Sequence, residues 1–169
     1  NKGNQVSRLT GYHTDVEDLI GGNTNTAEAK IKGLSLTSDW QVNSFIFGLG
    51  YDYLKAENNT SGSSNKGNEL VYRPKNSGLI YVGYQQPSYD LRLEAKHTDD
   101  RFSDVANQTK LDSYTLVNLS SSVYINPNLR ANLRIDNITD EDYTLASQFG
   151  NEYATEGTSY FTSLTYNWY

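Results

Sequence analysis

Residues 89–97 read YDLRLEAKH, and the order of residue types in this stretch decides the fold class. Apolar side chains alternate with charged ones: Tyr89, Leu91, Leu93 and Ala95 oppose Arg92, Glu94 and Lys96. Successive side chains of an extended chain point to opposite sides, so a period of two residues predicts a β-strand. One face of this strand suits an apolar environment and the other suits water.

The same alternation recurs along the chain, whereas the helical period of 3.6 residues is nearly absent. In residues 44–56, SFIFGLGYDYLKA, the apolar face consists of Phe45, Phe47, Leu49, Tyr51 and Tyr53. Eight strands are predicted, at residues 5–17, 27–41, 44–57, 70–86, 89–99, 112–124, 128–137 and 158–169. We therefore expect an all-β protein with antiparallel strands.

The connections between the predicted strands alternate in length. Short ones fall at residues 41–43, 87–88 and 125–128, and the last two contain prolines that interrupt strand pairing. Long polar ones fall at residues 21–26, 58–68, 100–110 and 137–157. Outer-membrane barrels combine short periplasmic turns with long extracellular loops, and the predicted strands are long enough for a tilted membrane span. The pattern predicts an antiparallel transmembrane β-barrel.

Aromatic residues gather near the ends of the predicted strands. Towards the short turns lie Trp40, Phe45, Tyr84, Tyr89, Tyr124, Trp168 and Tyr169, and towards the long loops lie Tyr51, Tyr53, Tyr72 and Tyr160. Amphipathic rings favour membrane–water interfaces, so two such bands favour a membrane protein. The alternative is a soluble β-sandwich or a lipocalin-like barrel, whose strands also alternate.

The composition argues against several classes of function. The net charge of −6 argues against a nucleic-acid partner, and the absence of Cys excludes disulfides and thiolate metal sites. His13 and His97 lie on different predicted strands, and no Ser–His–Asp pattern, phosphate loop or metal-spaced cluster occurs. We expect no enzyme activity, no cofactor and no metal. The acidic residues 139–143 are interpreted as a solvated loop rather than a calcium site.

The last predicted strand, TSYFTSLTYNWY at residues 158–169, resembles the C-terminal signal that the barrel-assembly machinery reads in bacterial outer-membrane proteins. The matching residues are Tyr160, Thr162, Leu164, Tyr166 and Trp168, and Tyr169 stands one position beyond the usual final ring. The resemblance implies that the chain lies in the bacterial outer membrane, in contact with lipid. It also implies that the barrel-assembly machinery binds the last strand.

A larger part of the chain is similar to the TonB-dependent receptors. Residues 137–168 contain an Asn-x-x-Asp-x-x-Tyr stretch and then a Gly before the last strand: Asn137, Asp140, Tyr143 and Gly157. Thr158 stands where the family commonly has Arg. The resemblance implies that residues 1–169 form the C-terminal part of a 22-stranded barrel and include no plug domain. It also implies that an N-terminal plug and TonB are partners in the intact receptor.

Residues 29–40 and 51–59 look most like the cobalamin receptors of this family. The function implied is TonB-dependent transport of a scarce small-molecule nutrient, cobalamin. One alternative is an iron–siderophore receptor, although catecholate sites favour clustered arginines and only Arg101 is expected in a long loop. A second is a self-contained eight-stranded structural barrel, which would require the first and last strands to pair. A third is a segment that acts only as a substrate of the assembly machinery.

Ligand contacts are expected in the long loops, because binding residues are commonly carried there by a rigid scaffold. Four rings on otherwise polar loops are candidates to stack on a flat ligand: Phe102, Tyr143, Phe149 and Tyr153. By resemblance, Tyr153 occupies a position where cobalamin receptors place a ligand-contacting Tyr. The alternative is that these rings pack the loops onto the rim.

A ladder of charged residues on the polar sides of two strands is the second candidate surface. Its members are Arg92, Glu94, Lys96, Arg130, Arg134 and Asp136. The ladder is expected either to contact the plug or to line a hydrated lumen through cross-strand ion pairs, each of which contributes little.

Overall fold

The computed structural model describes residues 4–21, 24–148, 150–153 and 155–168. These residues form twelve β-strands: β1 (Asn4–Gly21), β2 (Thr24–Val42), β3 (Phe45–Asn58), β4 (Asn76–Gln86), β5 (Tyr89–Thr98), β6 (Arg101–Phe102), β7 (Lys110–Leu111), β8 (Tyr114–Asn126), β9 (Leu129–Asp136), β10 (Ser147–Gln148), β11 (Asn151–Glu152) and β12 (Ser159–Tyr166). Among the residues described, no helix is long and apolar enough to cross a bilayer.

Eight of these strands form one antiparallel sheet in the order β1-β2-β3-β4-β5-β8-β9-β12. They correspond to the eight strands predicted from the alternation, which confirms the all-β, antiparallel fold class. Two further two-stranded ribbons, β6–β7 and β10–β11, lie within long connections and were not predicted. Each consists of strands of two residues, too short for periodicity to reveal.

Backbone pairing determines which side chains share a face. One row of directly paired residues crosses seven strands and contains Trp40, Phe47, Val82, Leu93, Leu119, Ile135 and Tyr160. The next row, on the other side of the sheet, contains Gln41, Ile46, Gly83, Arg92, Ser120, Arg134 and Phe161. We call these sides the apolar face and the polar face, since each row typifies its side.

The apolar face is open to the surroundings. Phe47, Leu91 and Leu133 expose 39%, 45% and 38% of their surface. Among the described residues, the buried hydrophobic side chains are Ala29, Ala56 and Leu111. A soluble sandwich or lipocalin-like barrel would enclose its large apolar side chains, so that alternative is wrong. An apolar face of this extent suits contact with lipid.

Rings on the apolar face form a continuous band beside the short turns at residues 43–44 and 87–88. The ring centroids of Phe45 and Tyr84 lie 4.8 Å apart, and those of Tyr84 and Tyr89 lie 6.0 Å apart. Tyr53 lies eight residues from Phe45 on the same face, about 26 Å along the strand at 3.3 Å per residue. At the roughly 35–45° tilt of outer-membrane strands, this separation spans about 20 Å along the membrane normal, within the roughly 25 Å apolar band of such a barrel.

Two aromatic residues lie elsewhere than predicted. Tyr124 is on the polar face, where its hydroxyl donates to Asp90 Oδ2 at 3.2 Å. Tyr72 is not in a strand, because β4 begins only at Asn76 and the predicted start at residue 70 is wrong. Tyr72 adopts a positive φ of 57°, which a β-strand does not accommodate.

Strands β1 and β12 form the two edges of the sheet. Within the described ranges, β1 pairs with β2 and β12 with β9, and no pairing joins β1 to β12. A closed barrel of these eight strands would need that last pairing. The sheet is therefore an open segment of barrel wall, with an apolar and a polar face.

Candidate functional site

Three long connections lie at one end of the sheet and contact one another. We name them loop A (residues 59–75), loop B (residues 99–113) and loop C (residues 137–158). Loops A and B are joined at Asn107, whose Oδ1 accepts the Glu69 N–H at 2.7 Å and whose Nδ2 donates to the Glu69 carbonyl at 3.0 Å. The Tyr72 N–H also donates to the Phe102 carbonyl at 2.8 Å. The loops form one assembly, which we call the rim.

Loop B is shaped by the carboxylate of Asp104. This group accepts hydrogen bonds from the backbone N–H groups of Ala106, Gln108 and Thr109. Partial burial acts to raise the pKa of Asp104, but the three N–H donors together outweigh it and hold the pKa below its usual value. The charged carboxylate therefore organises the turn between β6 and β7.

The first and last residues of loop C contact each other. Asn137 and Asp140 both have a φ of 53°, in the left-handed region that Asn and Asp tolerate better than most residues. Asp140 Oδ1 accepts the Thr158 N–H at 3.0 Å, and Thr158 Oγ1 donates to the Asn137 carbonyl at 2.7 Å. A Cβ at Gly157 would lie 2.5 Å from Asp140 Oδ1, so a side chain there would displace the carboxylate. The Asn-x-x-Asp and Gly positions of the sequence pattern thus fix the point where β12 starts.

In the stretch 143–147 of loop C, which we call the strap, each of the five carbonyls accepts a hydrogen bond from a donor in the rim. In order from Tyr143 to Ser147, these donors are Thr155 Oγ1 (2.8 Å), Arg101 Nη2 (2.7 Å), Arg101 Nη2 again (3.0 Å), the Tyr153 N–H (2.9 Å) and the Tyr72 hydroxyl (2.7 Å). All three loops contribute. The strap is therefore held from loops A and B as well as from within loop C.

Arg101 lies in a long loop, as expected, but it is not the only arginine there, because Arg73 lies in loop A. Only 4% of the surface of Arg101 is exposed. Its guanidinium carbon lies 5.4 Å from the centre of the Tyr114 ring. Its Nη1 atom is buried and has no hydrogen-bond partner among the described residues. Arg101 is thus part of the internal structure of the rim, which sequence reasoning missed because periodicity carries no information about burial within a loop.

The four rings predicted to contact a ligand occupy different environments. Tyr153 is 55% exposed on the rim. Tyr143 is half-buried, with its ring centroid 4.4 Å from that of Tyr114, and Phe102 is half-buried in β6. Phe149 lies outside the described residues. Of the three candidate rings that are described, Tyr153 is the most exposed.

The rim carries an excess of negative charge. Loops A, B and C contain ten carboxylate side chains and five cationic ones. Lys75 pairs with Glu69, and Lys110 Nζ lies 2.6 Å from Asp100 Oδ2, so each carboxylate raises the pKa of its lysine. Lys110 also lines a cleft of about 150 Å³ together with Asp112, Asp142, Glu152 and neighbouring residues. Within the described part of the chain, no three His, Asp or Glu side chains group closely enough to hold a metal.

The predicted polar ladder lies on the polar face. Arg92 Nη2 contacts Glu94 Oε2 at 2.6 Å, and Arg134 Nε contacts Asp136 Oδ2 at 3.1 Å. The two arginines are aligned on the same row through Ser120. Lys96 and Arg130 are exposed on the same side. Both ion pairs join residues of the same strand, so the cross-strand ion pairs expected from the sequence are not the ones that form among the described residues.

Tyr81 crosses this polar face beside the ladder. Its hydroxyl donates to Asp39 Oδ1 at 2.6 Å, and the Arg92 guanidinium carbon lies 3.7 Å from the centre of its ring. The ring lies over Gly48, where an added Cβ would overlap it. Tyr12 covers Gly33 in the same way. Small residues on the polar face therefore leave room for rings that lie flat on the wall.

The sequence is similar to a family model and to individual proteins of the same kind. A sequence profile described as "TonB dependent receptor-like, beta-barrel" matches residues 1–138. The vitamin B12 transporter BtuB of Photobacterium profundum is 29% identical over 171 residues, which cover 94% of this chain and 27% of that protein. The siderophore receptor PiuA of Acinetobacter baumannii is 26% identical over 150 residues, which cover 78% of this chain and 19% of that protein.

Solved structures agree on the fold. The ferric yersiniabactin uptake receptor FyuA from Yersinia pestis superposes with a TM-score of 0.84 over 98% of this chain and 28% of that chain, at 15% identity. The crystal structure of PiuA superposes with a TM-score of 0.72 over 97% of this chain and 26% of that chain. The chain thus spans about a quarter of the length of these proteins.

Proposed function

The chain belongs to the TonB-dependent receptor β-barrel family, whose members lie in the bacterial outer membrane, and on this premise we propose that residues 1–169 are the C-terminal wall and rim of a cobalamin receptor. The observation that carries the proposal is the two-sided sheet. Its large apolar side chains face outward, and three interlocked loops stand at one end. Such a segment supplies a lipid-facing wall, a hydrated inner surface and a ligand-binding rim.

The charge of the rim supports cobalamin over a ferric siderophore. Ferric catecholate complexes are anionic and would be repelled by a rim with twice as many carboxylates as cations. Arg101 is buried on backbone carbonyls and presents no exposed cation to an anionic ligand. Cobalamin carries no net negative charge and presents a broad, flat corrin ring with amide side chains. The BtuB relative, which covers 94% of this chain, is in line with this choice.

The exposed ring of Tyr153 is the ligand contact that this proposal favours most. A flat aromatic side chain stacks on a corrin ring and adds little entropic cost, since few of its bonds rotate. Phe102 and Phe149 are secondary candidates, and Tyr143 would act through its packing against Tyr114. Loop C would contribute most of the contact surface.

The polar face and the last strand have separate proposed partners. The ladder from Arg92 to Asp136 would face the N-terminal plug of the intact receptor, on which TonB pulls to admit the nutrient. The apolar side chains of β12, together with Trp168 beyond it, would carry the signal for the barrel-assembly machinery. Barrel wall, rim and assembly signal would all be passive elements, with the transport energy supplied through TonB.

The proposal is tested by ligand binding to the full-length protein purified in detergent. Cyanocobalamin and a ferric catecholate siderophore are each titrated by equilibrium dialysis. We expect saturable binding of cyanocobalamin and none of the ferric complex. The A. baumannii relative makes siderophore binding the second candidate function. Saturable binding of the ferric complex alone would transfer the assignment to that class.

A further inference from the structure

The structure assigns to Arg101 and Tyr72 the role of positioning residues that hold the strap, and through it Tyr153, in a binding-ready arrangement. The ligand part of this inference rests on the proposed function, whereas the positioning part stands on the geometry of the rim alone. Neither residue is needed to contact the ligand. Both act on the backbone that carries the contact.

Two of the residues that donate to the strap lie in the other two loops. Arg101 projects from β6 in loop B, and one of its terminal nitrogens donates to two successive carbonyls of loop C, those of Thr144 and Leu145. Tyr72 reaches from loop A to the carbonyl of Ser147. Only Ser147 of the strap belongs to a strand, and side chains from the two neighbouring loops supply the donors for three of its five carbonyls.

A backbone hydrogen bond links the strap to Tyr153. Between the carbonyls held by Arg101 and Tyr72 lies that of Ala146, which accepts the Tyr153 N–H at 2.9 Å. The ribbon β10–β11 connects the two, since Ser147 pairs with Glu152. Displacing the strap would therefore move Tyr153, the most accessible described ring of the rim.

Arg101 is buried within the rim. A guanidinium with 4% exposure is costly to bury, and no ion pair compensates it among the described residues. What stabilises it is the pair of strap carbonyls and the nearby Tyr114 ring. Arg101 and the strap thus depend on each other, because release of the strap would leave a buried cation without its main partners.

A rim held in this way is ordered before the ligand arrives. Binding by preordered loops avoids the entropic cost of immobilising them during association. Loosening the strap should therefore weaken ligand binding without altering the wall of the barrel, whose strands β5, β8 and β9 are paired independently of loop C.

The test uses the full-length protein with Arg101→Met, Tyr72→Phe and the matched control Arg73→Met. Met keeps the apolar stem of Arg101 but has no donor, and Phe removes only the hydroxyl of Tyr72. Arg73 is an exposed arginine of loop A. Barrel folding is checked for every variant by its heat-modifiable migration on gels, and Tyr72→Phe keeps the test decisive if Arg101→Met does not fold.

The first readout is hydrogen exchange of residues 143–153 without ligand. We expect exchange of the Tyr153 amide to be about tenfold faster in Arg101→Met, less so in Tyr72→Phe, and unchanged in Arg73→Met. Unchanged exchange in folded Arg101→Met or Tyr72→Phe would overturn the positioning role. This readout is independent of the ligand, so it decides that role even if the wild-type protein fails to bind cyanocobalamin.

The second readout is the Kd for cyanocobalamin. We expect about tenfold weaker binding in Arg101→Met and wild-type binding in Arg73→Met. If Arg101 acts through Tyr153, Tyr153→Ala should raise the Kd by a smaller factor in the Arg101→Met protein than in the wild-type protein. Additive losses, or a wild-type Kd in a variant with faster exchange, would overturn the link from the strap to the ligand.

Discussion

The side-chain amide of Asn137 clasps the backbone of Glu141 from both sides: Oδ1 accepts the Glu141 N–H and Nδ2 donates to the Glu141 carbonyl, each at 2.9 Å. Asn137 is 4% exposed and its own N–H donates to Asn118 Oδ1 on β8. One residue thus joins the end of β9, the start of loop C and the neighbouring strand. Its left-handed φ leaves few residue types that can occupy the position.

Asn137→Ala is expected to lower the free energy of unfolding by about 2–3 kcal/mol, from two lost hydrogen bonds and a strained φ. Urea unfolding of the full-length protein in lipid vesicles measures this change. Glycine adopts a positive φ without strain, so Asn137→Gly removes only the side-chain amide. It should lower the free energy of unfolding by less than Asn137→Ala does. An alanine variant as stable as the wild type would show that the clasp contributes nothing.

Gly48→Ala is expected to destabilise the wall by about 2 kcal/mol, because the new Cβ forces the Tyr81 ring away from Asp39 and Arg92. Gly50→Ala is the matched control on the same strand and face. Its Cβ would meet only Leu79 Cβ, at an ordinary 3.5 Å, and its effect should stay within about 0.5 kcal/mol. Equal urea midpoints for the two variants would contradict this account.

The turn that Asp104 organises is expected to loosen in acid. Because the pKa of Asp104 is held below its ordinary value of about 3.9, its contribution to loop order is complete above that pH and is lost as pH falls through the lowered pKa. Exchange of the Thr109 amide, corrected for its intrinsic pH dependence, measures the order. Asp104→Asn removes the charge and should abolish the pH dependence; an unchanged acid response in that variant would assign it to another group.

The fluorescence of Trp40 and Trp168 is expected to be quenched by brominated lipid. Trp40 lies on the apolar face, and Trp168, whose ring contacts that of Tyr166, is 80% exposed. The fluorescence lost on bromination is compared between the wild-type protein and the variants Trp40→Phe and Trp168→Phe. Each variant should lose a quenchable component. If neither tryptophan contributes one, the apolar face does not contact lipid.

The strands were predictable because each lies between two different environments. The predicted ranges 89–99 and 128–137 agree closely with β5 and β9, since a sheet with one apolar and one polar face imposes a period of two on the side chains. The same regularity gave the correct face for Phe47, Leu91 and Leu133. Each of the eight strands pairs with the next of them along the chain, through short turns and long loops alike.

The loops were not predictable in this way. Leu70 and Tyr72 continue the alternation of a strand, but Tyr72 turns away with a positive φ to reach the strap. The burial of Arg101 depends on carbonyls 43 and 44 residues further along the chain, a relation that no local pattern encodes. Tyr124 was misplaced because ring type outweighed its position in the alternation, which puts it with Asp90 on the polar face. The candidate site depends mainly on such long-range contacts.

The two unpaired edges of the sheet have a thermodynamic consequence. Alternate residues of β1 and β12 direct both backbone polar groups away from their single neighbour. In a hydrocarbon layer each such group would cost several kcal/mol, so the two edges together would oppose insertion by tens of kcal/mol. This wall would therefore be stable in a bilayer only with both margins sealed by hydrogen bonding to further strands.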